Sequence, residues 1–299
     1  MHCLKPLTIT PAMLTSSIAE VDTGETAWVS GATYALADVR TYSTRKYERL
    51  VAGAGTITPD LDPTNWLDVG PTNKWAMFDT LRNTQSSAAS PITVSIVPAQ
   101  RIRSIALVRC EASSITITIT VGGETKYTTT RNMNGRHTTT ATEYCFGGFK
   151  FIPNLSIFDL PPYAASTITV TITNAVAAAK VGALCIGNPV YLGGTEYNAV
   201  RGALNFSEIE RSRFGDVKLT PRPSKPETQQ TLWTKKAAVN SVIALFEDTD
   251  AVPCVWSGLD DVNTDDYYDA LFLLGIHREW SVSLAYPTNA KVSLQIEEV

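Results

Sequence analysis

The stretch Ile115-Thr116-Ile117-Thr118-Ile119-Thr120-Val121 constrains this chain more than any other. Successive side chains of an extended backbone point to opposite faces, so strict alternation sends every Ile and Val one way and every Thr the other. Ile168-Thr169-Val170-Thr171-Ile172-Thr173 repeats the pattern. Both read as strands buried on one side, with the β-branched Thr suited to the exposed pleat. Further runs at 92–97, 102–108, 124–130, 144–152 and 181–186 read as strands too, and Gly122-Gly123 fits a two-residue hairpin turn. So many short strands with turns between them predict a jelly-roll-like β-sandwich over 80–200.

The flanks differ from this centre. Residues 1–24 alternate Thr and Ser with Ile, Leu and Met, as an edge strand or an arm laid on a neighbouring subunit would. Residues 25–79 place Trp28, Tyr34, Tyr42 and Tyr47 at short intervals before a turn-rich span ending at Trp66, which predicts a small β-module too small to be robust alone. Gly70-Pro71-Thr72-Asn73 then breaks any regular element, leaving Trp66 and Trp75 on opposite arms of one turn. Two readings fit this corner: aromatic packing shared by neighbouring domains, or rings that stack on a sugar.

From residue 201 the character changes again. Apolar residues recur at helical spacing over 235–248, and 265–274 reads as a second helix with Thr264 as N-cap and Gly275 as C-cap. Residues 280–285 and 291–296 read as strands. The chain is therefore expected to be mainly β with a C-terminal α+β domain. It divides into an entry arm and small β-module (1–79), a jelly-roll-like sandwich (80–200) and a two-helix α+β domain (201–299).

Composition narrows the function classes. A net charge of −4 supplies no general attraction for phosphate backbones, so no nucleic-acid partner is expected. No apolar run reaches the length of a membrane helix and the first residues lack a signal-peptide core, so a soluble, cytoplasmically made protein is expected, without membrane insertion. Five scattered Cys without a Cys-x-x-Cys spacing read as free buried thiols. Three distant His (His2, His137, His277) leave no zinc pattern, and no metal or cofactor is expected.

Catalytic motifs are equally thin. Gly53-Ala54-Gly55 lacks the third glycine of a dinucleotide loop, and Asp261-x-Asn263-x-Asp265 lacks the glycine and distal Glu of a calcium loop. Arg211, Arg213, Lys218, Arg222 and Lys225 form a basic stripe, while 247–269 carries eight carboxylates and no Lys or Arg. Arg211, Arg213 and Arg222 on one subunit facing Asp260, Asp261 and Asp265 on a neighbour would suit a charge-matched interface.

Trp28, Tyr34, Asp38, Val39, Tyr42, Tyr47, Pro59, Pro63 and Trp66, in this order, resemble the small chitin-binding-type carbohydrate-binding module. That module usually has glycine before the aspartate, where this chain has Ala37. Residues 70–79, with Phe214-Gly215-Asp216, Pro253-x-Val255-Trp256 and 285–289, are similar to virion proteins of tailed bacteriophages. The resemblance implies a non-enzymatic tail or baseplate subunit. It would act as a multi-copy adaptor, a homo-oligomer in a symmetric assembly, linking tail and fibre proteins of a virion assembled in the host cytoplasm. The alternative it implies is a receptor-binding tail protein whose Trp28, Tyr47, Trp66 or Trp75 stack on a host surface glycan. A degenerate module reused for assembly is a third form, and a glycan-degrading enzyme a distant one.

Overall fold

The computed structural model describes residues 1–299 apart from 82, 136–139, 149, 212, 260–267 and 285. The fold is mainly β. Its centre is a sandwich whose five-stranded sheet runs Glu124–Asn132, Ser114–Val121, Ser166–Thr173, Ile92–Ile96 and Leu14–Ser16, all antiparallel. The register sets Ile115, Ile117 and Ile119 against Ile172, Val170 and Ile168, so the two alternating stretches align their apolar rows on one face. Gly122 and Gly123 take φ of 60° and 86°, the left-handed pair that a two-residue hairpin needs between Val121 and Glu124.

The second sheet of the sandwich runs Leu155–Ile157, Ser104–Glu111, Ala179–Gly187 and Ser86–Ala88. Its sequences do not alternate, because it is buried on both faces. Ile105, Leu107, Leu184 and Ile186 enter the sandwich core. Ala106, Val108, Ala183 and Cys185 pack behind it against Leu4, Val255, Phe272 and Leu274. Continuous apolar strands are what a middle layer requires.

That outer partner is an eight-stranded sheet in the order Pro189–Tyr191, His2–Leu4, Cys254–Ser257, Phe272–Ser283, Asn289–Glu298, Lys225–Lys235, with Gly194–Thr195 and Val200–Leu204 both on the last strand. Helix Val239–Asp248 buries Val242 and Phe246 on its far side, beside Trp256, Leu273 and Leu294. The entry arm is thus an interior strand at His2–Leu4 and an edge strand at Leu14–Ser16.

Two expected elements differ. Residues 268–274 are not helical: a single turn at Tyr268–Ala270 leads into the strand Phe272–Ser283, and 260–267 lie outside the described residues. Phe272-Leu273-Leu274 is buried on both faces, and a continuous apolar run cannot be told from a helix by periodicity. Gly275 caps nothing; a Cβ there would lie 2.0 Å from the Glu297 carbonyl oxygen, so the glycine lets two strands close. In 144–152 the expected strand is replaced by the short helix Ala141–Phe146 and a two-residue strand. Thr140 and Glu143 form a reciprocal capping box that fixes the start of this helix.

Candidate functional site

Three of the four candidate ligand-stacking residues, Trp28, Tyr47 and Trp66, meet in the small aromatic module. The module builds a three-stranded sheet from Val39–Tyr42, Arg45–Arg49 and Trp66–Pro71, and pairs Ala32–Tyr34 with Gly53–Gly55. Tyr34, Tyr47 and Trp66 form its core, with Trp28, Ala32 and Tyr42 around them. Trp66 is 2% exposed and meets Tyr34 edge-on at 5.0 Å. Arg49, itself buried, lies over the Trp66 ring at 4.9 Å and donates to the carbonyls of Val51 and Ala54.

Trp75 leaves this core altogether. Gly70, at φ 130°, and Pro71 turn the chain, and Trp75 enters the sandwich core instead. Its indole N–H donates to Glu20 Oε2 at 3.0 Å, and Glu20 also pairs with Lys74 at 3.2 Å and accepts from Thr72 Oγ1. The two Trp on either arm of the turn therefore anchor two different cores. A cavity of about 290 Å³ lies at the joint, lined by Pro6, Thr44, Arg45, Pro71, Phe78 and Asp79 among others. Burial raises the Asp79 carboxyl above its ordinary value, against hydrogen bonds from Thr84 and the Leu81 N–H that lower it.

Three of the four candidate positions lie in packed cores. Tyr47, Trp66 and Trp75 are buried packing residues with no free ring face in this conformation. Burial, before the nearby Asp68 and Asp60, also pushes the Tyr47 phenol up. Trp28 is half-buried, set edge-on to Tyr42 at 5.4 Å. Sequence could name these aromatics but not sort exposed from buried, because turn-rich segments carry no periodicity to read.

The basic stripe lies elsewhere, on an excursion from the carboxy-terminal sheet. Strands Glu208–Arg211 and Val217–Thr220 pair only with each other. The register places Ile209 beside Leu219 and Arg211 beside Val217 on one face, and Glu208 beside Thr220 and Glu210 beside Lys218 on the other. The polar face is tied by Lys218–Glu210 at 3.3 Å and by Arg222–Glu208 at 3.0 Å. The apolar face is solvent-exposed among the described residues: Ile209 is 63% exposed and Leu219 66%, and Phe214, near the tip, is 91% exposed. Arg211 and Arg213 are exposed beside it. Asp260, Asp261 and Asp265, the expected acidic counterparts, lie outside the described residues. Sequence analysis missed the apolar side of this stripe, although Ile209, Val217 and Leu219 alternate with charges in plain view.

The thiols and the described histidine His277 are set by burial and local bonds. Burial pushes the Cys110 and Cys185 thiols up to about 12, where they are inert. Burial also raises Cys3, whose contact with Cys254 lowers the latter. Cys145 alone departs from the buried-thiol expectation, being exposed on the helix Ala141–Phe146. His277 is buried and bonds Asp250 through Nε2 at 2.9 Å, while His137 lies outside the described residues. Among the described residues no group of three or more His, Cys, Asp or Glu could hold a metal ion, and no helix is long and apolar enough to cross a membrane. No protein-family model matches the chain, and no curated protein matches it.

Proposed function

We propose that this chain is a structural subunit of a multi-copy assembly, with a tail or baseplate of a bacteriophage as the setting and tail or fibre proteins as neighbours. The observation that carries the reading is the hairpin Glu208–Thr220. A two-stranded ribbon is marginal in water without something on its apolar face, and among the described residues that face leaves Ile209, Val217 and Leu219 exposed. A neighbouring subunit that covers them supplies the missing layer, and Arg211 and Arg213 at the margin set its register through charge. The similarity of residues 70–79 and the carboxy-terminal stretch to virion proteins supports the tail setting. Burial of Tyr47, Trp66 and Trp75 favours the module as a packing unit over the module as a sugar platform.

Light scattering on the purified protein across a concentration range tests this. A ring, trimer or other closed oligomer is expected, and replacing Ile209 and Leu219 together with Asn should return it to monomer with the sandwich still folded. A protein that stays monomeric at every concentration, or whose double variant keeps the parent's oligomeric state, would overturn the reading.

A further inference from the structure

The carboxy-terminal sheet buries one face against the sandwich and the helix and turns a stretch of the other to solvent. Along Lys225–Lys235, Thr228, Gln230 and Leu232 point inward, as do Val292, Leu294 and Ile296 along Asn289–Glu298. Their alternates point out. The register aligns Gln229 with Gln295 and Glu279 in one row, and Thr231 with Ser293 and Ser281 in the next. Beyond Gln229 the edge strand contributes Val200, paired with it directly, and Asn198 walls that end. Together they enclose a groove of about 450 Å³.

The groove has a definite chemistry. Its polar side chains are amides and hydroxyls with one carboxylate, Glu279; Val200, Trp280 and Leu294 also line it, and among the described residues no Lys or Arg does. Gln295 is oriented by a bond from its Nε2 to Glu227 Oε2 at 3.4 Å. Trp233, the next outward residue after Thr231, lies one row further along the strands, outside the groove. It meets Tyr286 edge-on at 4.9 Å, with Lys291 at 5.9 Å from its ring and held by Glu196 at 3.1 Å. Four strands at their usual separation of about 4.8 Å give a trough roughly 14 Å long. The backbone groups on its floor are consumed by the sheet, so an added peptide strand finds no partners there.

We propose that this groove binds a neutral glycan chain lying across the strands. Gln229, Gln295 and Glu279 would bond its hydroxyls. Amide side chains donate and accept at once, as sugar hydroxyls do. An anionic ligand would meet Glu279 and find no cation in the lining. The site is separate from the aromatic module, whose Trp66 and Tyr47 are buried.

Isothermal titration of the full chain with cellotetraose, maltotetraose, chitotetraose and the acidic trisaccharide sialyllactose tests the assignment. At least one neutral tetrasaccharide should bind and sialyllactose should not. Gln229→Ala with Gln295→Ala should weaken binding tenfold or more, and Ser293→Tyr, which fills the exposed floor, should abolish it, both with unchanged thermal unfolding. Trp28→Ala should leave affinity unchanged. Failure of every neutral tetrasaccharide to bind at millimolar concentration would overturn the proposal. So would loss of binding in Trp28→Ala but not in the glutamine variant, or binding of the acidic sugar alone.

Discussion

The small module gathers Tyr34, Tyr47 and Trp66 around a buried Arg49, whereas the sandwich stacks rows of Ile, Val and Leu contributed by seven strands. In the module a few large rings carry the packing and each is irreplaceable. In the sandwich the same work is spread over many small aliphatic groups, each replaceable in part. The difference follows from size: a short, turn-rich segment has too few inward positions to close a core with methyl groups. Stability should therefore be brittle in one region and graded in the other.

The sharpest way to break that comparison is Trp66→Ala. Removing a fully buried Trp costs about 3–5 kcal/mol, and here it also strips the ring from above Arg49. The module is expected to open while the sandwich holds. Hydrogen exchange read by mass spectrometry should lose protection across 28–71 and keep it in the strands at 92–96 and 114–121. Protection lost equally in both would mean that the two cores fold as one unit.

Ile117→Val probes the other side. It deletes one methylene from a fully buried position in the middle of the five-stranded sheet, at a cost of about 0.5–1.5 kcal/mol. A modest fall in the main thermal transition is expected, with exchange in the module unchanged. A drop as large as that of Trp66→Ala would show the sandwich to be as brittle as the module.

How legible each region was depends on the same contrast. Ile115–Val121 and Ile168–Thr173 declared their strands and their buried face, because one-sided burial writes a period of two into the sequence. Phe272-Leu273-Leu274 declared only that it was buried; two-sided burial erases the period, and a helix and a strand then read alike. Thr140-x-x-Glu143 did carry its signal, a capping box, in a stretch whose aromatics suggested a strand instead. The groove on the carboxy-terminal sheet was illegible in principle. Gln229, Glu279 and Gln295 become neighbours only through a strand order in which the strand ending at residue 298 separates the other two. Nothing local in any of those strands announces that meeting.

The smallest expected effect sharpens the comparison from the opposite direction, by repairing the module. Ala37 sits at φ 65°, in the left-handed region that glycine tolerates and a Cβ does not favour. The turn is held open to this conformation by its surroundings: the Ala37 N–H donates to the Arg49 carbonyl at 2.8 Å, and Asp38 accepts from the Ala35 N–H at 3.0 Å. A non-glycine residue there costs about 1–2 kcal/mol, while glycine adds unfolded-state entropy worth about 0.4–1 kcal/mol. Ala37→Gly should thus stabilise the module by a net amount on the order of 0.5–1 kcal/mol, the difference of those two estimates. Slower exchange in 34–49, with the sandwich unmoved, is the outcome expected. A destabilised module would mean that the Ala37 methyl makes packing contacts worth more than the strain of its backbone, and the brittleness of the module would then lie in its turns as well as its rings.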